Sequence, residues 1–229
     1  MEAWMKIAYR LHVGGNRLLV ALMLGLTVYL LSTSVEADQR AVDTALVDRL
    51  RQGGLVIYFR HEATNWSLQD NMGPGTGPDD WFSCSPSKMR QLSDQGREHA
   101  RQTGKAMRAL GVPVSRVFAS PYCRTVETAE LFDLGPVTPT ADVMNLRVAE
   151  HYGGTPAIVQ RARALLATVP GPSSNHVVVA HGNVAQAATP VYPGEGEGVI
   201  FEPDGGGSFS VLGRLSPAQW RLLARQWDR

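Results

Sequence analysis

Leu55-Val56-Ile57-Tyr58-Phe59-Arg60-His61 is the stretch on which the reading of this chain turns. An apolar, β-branched run of this kind predicts a strand buried on both faces of a parallel sheet. The Arg-His pair at its carboxyl end falls where open α/β sheets hold their ligand crevice. Two further predicted strands end in the same currency of residues. Arg116-Val117-Phe118-Ala119 runs into Ser120-Pro121-Tyr122-Cys123-Arg124-Thr125, and Val177-Val178-Val179-Ala180 runs into His181-Gly182-Asn183. Guanidinium groups offer planar forks of donors suited to phosphate oxygens, and an imidazole can act as a nucleophile. Three strand ends delivering Arg60, His61, Arg124 and His181 therefore point to a phosphate site.

Working outward, the punctuation is that of alternating strands and helices. Val42, Leu46, Val47 and Leu50 recur at helical spacing and stop at Gly53-Gly54. Residues 73–80 hold too many Gly and Pro for regular structure. Ser93 is an N-cap for a helix carrying Gln95, Ala100, Met107 and Leu110, closed by Gly111-Val112-Pro113. A helix is expected over Thr125–Phe132, and Thr155-Pro156 opens another with Ile158, Val159, Ala162, Leu165 and Leu166 on one side. Val199–Phe201 and Phe209–Leu212 flank three glycines and read as a hairpin, and Ser216-Pro217 starts a helix bearing Trp220, Leu222, Leu223 and Trp227. This order predicts a three-layer α/β/α sandwich with a mostly parallel central sheet.

The amino terminus reads differently. Lys6, Arg10 and Arg17 precede Leu18–Leu31, an apolar run of 14 residues. Roughly 20 would be needed to span a bilayer, so the run suits a secretory segment. Val35 and Ala37 stand at −3 and −1 of a cleavage site, which makes residues 1–37 a signal peptide or, uncleaved, a signal anchor, and residues 38–229 the functional domain. The body is then expected to be exported and periplasmic, touching membrane only through an uncleaved N-terminus. Without residues 1–37 it carries 19 basic and 19 acidic residues, a balance that argues against nucleic-acid binding. In an oxidising compartment the two cysteines, Cys84 and Cys123, are expected to bridge rather than stay free.

Other chemistries find little support. No Cys-x-x-Cys is present and the histidines are scattered, so no metal or other cofactor is expected. Neither a Gly-x-x-x-x-Gly-Lys loop nor a Gly-x-Gly-x-x-Gly turn follows a strand. Cys84 and Arg90 have the Cys-x5-Arg spacing of cysteine-dependent phosphatases, but the segment before Cys84 is a breaker-rich loop instead of a strand. His99 and His176 read as a solvated helix residue and a loop residue. Thr64, Ser67 and Arg90 are candidates for secondary contacts to phosphate or substrate.

Taken in order, the motifs resemble those of the histidine phosphatase superfamily, the phosphoglycerate-mutase-like group. Arg60-His61-Glu62-Ala63-Thr64 resembles its Arg-His opening, and Leu92-Ser93-Asp94-Gln95-Gly96 with Ala100 resembles its next helix start. Ser120 to Ala129 is similar to its Ser-x-x-x-Arg-x-x-x-Thr-Ala segment, and His181-Gly182-Asn183 to its second histidine. The resemblance implies that His61 is phosphorylated in turnover while Arg60, Arg124 and His181 complete the phosphate pocket, with a small phosphorylated substrate and no metal.

Two departures stand out. Glu62 occupies a position where the family has a small residue, and is expected to alter the pocket rim. Asn145-Leu146-Arg147 lacks the glutamate that serves the mutase-like branch as general acid, so the acid stays open among Glu150, Glu195 and Glu197. Three functions fit: a phosphatase, a non-catalytic module binding a phosphorylated ligand, and a phosphomutase. Export favours net hydrolysis, with envelope phosphosugars as the substrate class.

Overall fold

The computed structural model describes residues 44–73 and 75–227. The expected export segment, residues 1–37, lies outside them. Among the described residues no helix is long and apolar enough to cross a membrane.

Six strands form one sheet in the order β3-β2-β4-β1-β5-β6. β1 is Val56–Arg60, β2 Val114–Ala119, β3 Val137–Pro139, β4 Asn175–Ala180, β5 Gly198–Pro203 and β6 Phe209–Leu215. The first four run parallel, and β5 and β6 add an antiparallel hairpin beside β1. β1 and β4 sit at the centre, with Ile57 beside Val177 and Phe59 beside Val179. Their burial explains why both read as unbroken apolar runs, since each face meets a helical layer.

The period-2 alternation of a strand divides these residues between two cores. Ile57, Phe59, Val117 and Val179 face one side. There they pack on α1 (residues 44–52), α3 (Asp94–Ala109), α4 (Cys123–Phe132) and α7 (Pro217–Trp227), through Leu50, Met107, Phe132 and Trp220. Val56, Tyr58, Val178 and Ala180 face the other. That side is covered by α5 (Gly154–Leu166), α6 (Gly182–Ala188) and two 3-10 segments, Ala141–Val143 and Leu146–Tyr152, with Ile158, Val184 and Met144 among the contacts. Burying a side chain such as Phe59 fully contributes roughly 1.5 to 3 kcal/mol. The layers are those the alternation of elements predicts.

At the amino ends of the strands, the buried Asn175 side chain acts as a knot. Its Oδ1 accepts from Leu55 N (3.1 Å), and its amide donates to Leu50 O and Pro113 O (both 2.8 Å). One side chain thus fixes where α1 ends and where β1 and β2 begin relative to β4. Between β1 and α3 runs a long loop that holds the four-residue α2, Pro78–Trp81. Cys84 of this loop is joined to Cys123 by a disulfide, with the Cα atoms 5.2 Å apart.

Several elements escape the sequence reading: the short edge strand β3, the two 3-10 segments, α6, whose N-cap is His181, and α2, whose Pro78–Asp80 fall in the stretch expected to be irregular. His176 lies within β4, buried with its ring edge-on to Phe118, and not in a loop.

Candidate active site

Each of the expected site residues stands at the carboxyl end of a parallel strand. Arg60 is the last residue of β1 and His61 follows it. Arg124 is in the first turn of α4, after β2, and His181 directly follows β4. All four line one cavity of about 220 Å³, together with Trp66, Asp70, Arg90, Asn145, Arg147, Gly182, Asn183 and Tyr192.

The backbone around His61 is fixed from three sides. His61 N donates to Ala180 O (2.9 Å), continuing the β1–β4 ladder past its end. Glu62 N donates to Thr128 Oγ1 (3.2 Å), and that hydroxyl donates to Arg124 O (2.7 Å), so α4 holds the residue after the histidine. Ser93 N and Oγ both donate to Ala63 O (2.9 and 3.1 Å), while Ser93 Oγ caps α3 by accepting from Gly96 N (3.0 Å). A Cβ at Gly96 would overlap the Ala63 carbonyl, so the glycine lets α3 approach this closely. The Ser-x-x-Gly and Arg-x-x-x-Thr spacings of the sequence are thus supports for position 61.

The hydrogen bond of His61 decides its tautomer. Nδ1 lies 2.9 Å from Glu62 O, and a carbonyl only accepts, so Nδ1 carries the proton and Nε2 keeps its lone pair. Burial, then the neighbouring Arg124, holds the imidazole well below its ordinary value of 6.5; Arg60 and Arg90 act in the same direction. A neutral imidazole with a free Nε2 is the form required of a nucleophile.

His181 stands edge-on to His61, with ring centroids 5.7 Å apart. Its Nε2 pairs with Ser120 Oγ (2.9 Å), which leaves the buried Nδ1 as the nitrogen open to a ligand. Tyr58 locks its backbone, donating to His181 O (2.7 Å) and accepting from His181 N (3.1 Å). Burial, followed by Arg124, His61 and Arg60, pushes the His181 imidazole well down as well.

The arginines have donors to spare. Arg60 Nη1 donates to Pro193 O (3.2 Å) and Nη2 lies 3.6 Å from Glu195, but its Nε has no partner among the described residues. Arg124 has 2 % of its side chain exposed, and its Nε is also unpartnered. Unsatisfied buried donors are costly, and four groups converging with such donors or an open imidazole nitrogen make an anion site.

The three carboxylates left open by the sequence separate cleanly. None of them lines the cavity, and the Glu150 side chain is 82 % exposed and pairs with His151. Glu197 is taken by Arg214 (2.6 Å) and by Gly194 N (2.7 Å). Glu195 stands beside Arg60 and accepts from Thr64 Oγ1 (3.1 Å).

Glu62 does not reach the rim. Its carboxyl is buried behind the site, 3.9 Å from His99 Nδ1, and burial pushes it up from 4.5 to about 7. It abuts Gly196, where any Cβ would overlap the carboxyl; Gly196 N in turn donates to Arg60 O (3.2 Å) and His61 O (3.1 Å). His99 is half-buried and keeps part of its ring in solvent, with Nδ1 turned toward this carboxyl.

Sequence reasoning missed Asp70, whose side chain is 3 % exposed and bidentate on Arg124. It also missed the aromatic mouth, where Trp66 (66 % exposed) lies under Arg90 at 3.8 Å and Tyr192 (51 % exposed) under Arg60 at 5.5 Å. No periodicity or motif marks these loop positions. Arg90, a sequence candidate, does line the cavity, whereas Ser67 is turned to Asn65 (2.7 Å).

Comparison with known proteins bears on the same residues. No curated protein matches the chain. In fold the chain is similar to the protein histidine phosphatase SixA complexed with tungstate, at 16 % identity and a TM-score of 0.51, covering 72 % of this chain and 97 % of that one. It is equally similar to an Escherichia coli K-12 protein assigned as an alpha-ribazole-5'-P phosphatase, at 18 % identity and a TM-score of 0.51, covering 72 % and 98 %. The family model for the histidine phosphatase superfamily (branch 1) matches residues 56–157, which hold Arg60, His61 and Arg124, and the fold brings His181 to them from beyond that span. Over residues 56–157 the chain is similar to the histidine phosphatase superfamily, and its sheet with the paired strand ends agrees with the fold of the solved structures it resembles.

Proposed function

We propose that the protein hydrolyses phosphate monoesters through a phosphohistidine on His61. The observation that carries this reading is the His61 tautomer. Nε2, unprotonated and backed by a fixed Nδ1–H, faces a cavity whose arginines have uncommitted donors.

In the first step the Nε2 lone pair forms a bond to phosphorus as the bond to the ester oxygen breaks. Arg60, Arg124 and His181 Nδ1 donate to the equatorial oxygens, where negative charge accumulates. The departing alkoxide takes a proton from a carboxylic acid, and Glu195, beside Arg60, is the best placed of the three sequence candidates. Water then attacks the phosphoramidate, its proton passes to the carboxylate, and phosphate leaves with neutral His61 restored. The tungstate carried by the SixA structure is a tetrahedral oxyanion of the shape such a clamp holds.

The substrate is proposed to be a phosphorylated, ring-bearing alcohol of the cell envelope, met after export. The residue pattern over 1–37 supports the compartment. Trp66 and Tyr192 at the mouth support a ring, and Asn183 Oδ1, buried without a partner, supports a hydroxyl donor on it.

Purified protein is expected to release phosphate from p-nitrophenyl phosphate, and His61→Ala to abolish turnover. Rapid quenching should trap an alkali-stable, acid-labile phosphate on His61. A protein that binds tungstate but turns over no member of a panel of phosphorylated sugars, lipids and peptides would instead be a binding module. Transfer within one substrate without phosphate release would make it a mutase.

A further inference from the structure

We propose that Asp70 is the positioning residue of the phosphate clamp, turning Arg124 so that its Nε–Nη2 edge is the edge offered to the phosphoryl group. The inference rests on the phosphatase reading and deepens it.

The donors of Arg124 can be accounted for individually. A guanidinium has five N–H groups. Nη1 spends its two on Asp70 Oδ1 (2.9 Å) and Arg90 O (3.3 Å), and Nη2 spends one on Asp70 Oδ2 (3.2 Å). What remains is the Nε–H, buried without a partner, and the second hydrogen of Nη2. In a planar guanidinium these two point the same way, as a fork matched to two oxygens of one phosphate. Asp70 therefore takes the end of the arginine and leaves its side.

Charge gives the same assignment. Arg124 is buried in a cavity that also holds Arg60, Arg90 and Arg147. Like charges at such range repel, and an arginine on a flexible stem turns away unless something holds it. Asp70 is the only carboxylate among the described residues that line this cavity. It is held from its other side by Arg90 N (3.1 Å) and Arg147 Nη1 (3.4 Å), so it is itself fixed. Both of its oxygens are committed to guanidinium hydrogens, which separates its role from that of the leaving-group acid.

The test is tungstate affinity, measured by calorimetry in four proteins: the parent, Asp70→Asn, Arg124→Ala and the double variant. Asp70→Asn is expected to weaken binding roughly 10- to 100-fold in the parent and less than about twofold in the Arg124→Ala background, as coupled neighbours do. Equal losses in both backgrounds would mean a general structural role and overturn the proposal. So would tighter binding by Asp70→Asn, which would make the carboxylate a competitor of the anion. Asp70→Glu keeps the charge but displaces it by one methylene. Should Asp70→Asn fail to fold, an affinity of Asp70→Glu equal to the parent's would overturn the proposal, and a loss confined to the Arg124 background would sustain it. A parent that turns over p-nitrophenyl phosphate but shows none of this coupling overturns the inference alone. A parent that neither binds tungstate nor turns over ester overturns the phosphatase reading beneath it.

Discussion

His61, Arg124 and His181 stand at the ends of β1, β2 and β4, where the ladder and the first turn of a helix fix each backbone. Trp66, Asp70 and Arg90 share the cavity but come from the long loop that holds α2. The backbone of the first group is set chiefly by the ladder and the helix turns, with the Tyr58, Ser93 and Thr128 hydroxyls as supports. The second is placed by particular side chains: the Asp70–Arg124 pair, the Trp66–Arg90 stack and the Cys84–Cys123 bridge. The difference divides labour. A sheet can present the same chemistry to every substrate, while a cover built from side chains can change its choice of alcohol without disturbing the clamp.

The widest separation of the two regions should come from Arg124→Ala. Losing one clamp donor removes about 3 to 4 kcal/mol of transition-state stabilisation, a hundred- to a thousandfold in kcat/KM. An unchanged kcat/KM would take Arg124 out of the clamp and leave it a structural partner of Asp70.

The cover should answer to its tether. Replacing both cysteines by serine opens a loop between residues 39 apart in sequence and is expected to remove roughly 2 to 4 kcal/mol of stability by denaturant unfolding. Turnover per folded molecule should fall far less than in Arg124→Ala, because His61 and His181 are held by the sheet. A double variant as inactive as Arg124→Ala would erase the distinction between clamp and cover.

Glu62, wedged between the two regions, gives the smallest and most pH-specific effect. Its folded value of about 7 lies above the ordinary 4.5. Between those limits the folded protein keeps a proton the unfolded chain has released, so stability falls as pH rises and the loss is complete above about 7. Glu62→Gln should therefore be more stable than the parent at pH 8 by roughly 2 to 3 kcal/mol, and equal to it near pH 4.5. Glu195 lies near this carboxyl and raises it further, whereas Arg221 acts in the opposite direction and His99 Nδ1 lies 3.9 Å away, so a pH-independent difference would mean that the basic neighbours offset the burial.

The same division explains what could be read beforehand. Apolar runs ending in Arg60-His61 and His181 state both their burial and their chemistry, because a strand end dictates where its next residue goes. Ser93, Gly96 and Thr128 were visible as spacing, although what they support, the backbone on either side of position 61, needs coordinates. Asp70 and Tyr192 belong to the cover, whose geometry follows from pairings more than 50 residues apart for Asp70, and no local pattern encodes those. Glu62 stands out in the sequence for its size and points to the rim; burial against Gly196 decides otherwise.

Gly196 also constrains how this site can vary. It is held at φ +72 with the Glu62 carboxyl against it, while its own N–H bonds to the carbonyls of Arg60 and His61. Positions 62 and 196 therefore share one small volume. A side chain gained at 196 is strained by the positive φ whether or not 62 is shortened, and with glutamate in place the carboxyl would also have to swing aside. Glycine at 196 is thus demanded by its own backbone first and by its neighbour second.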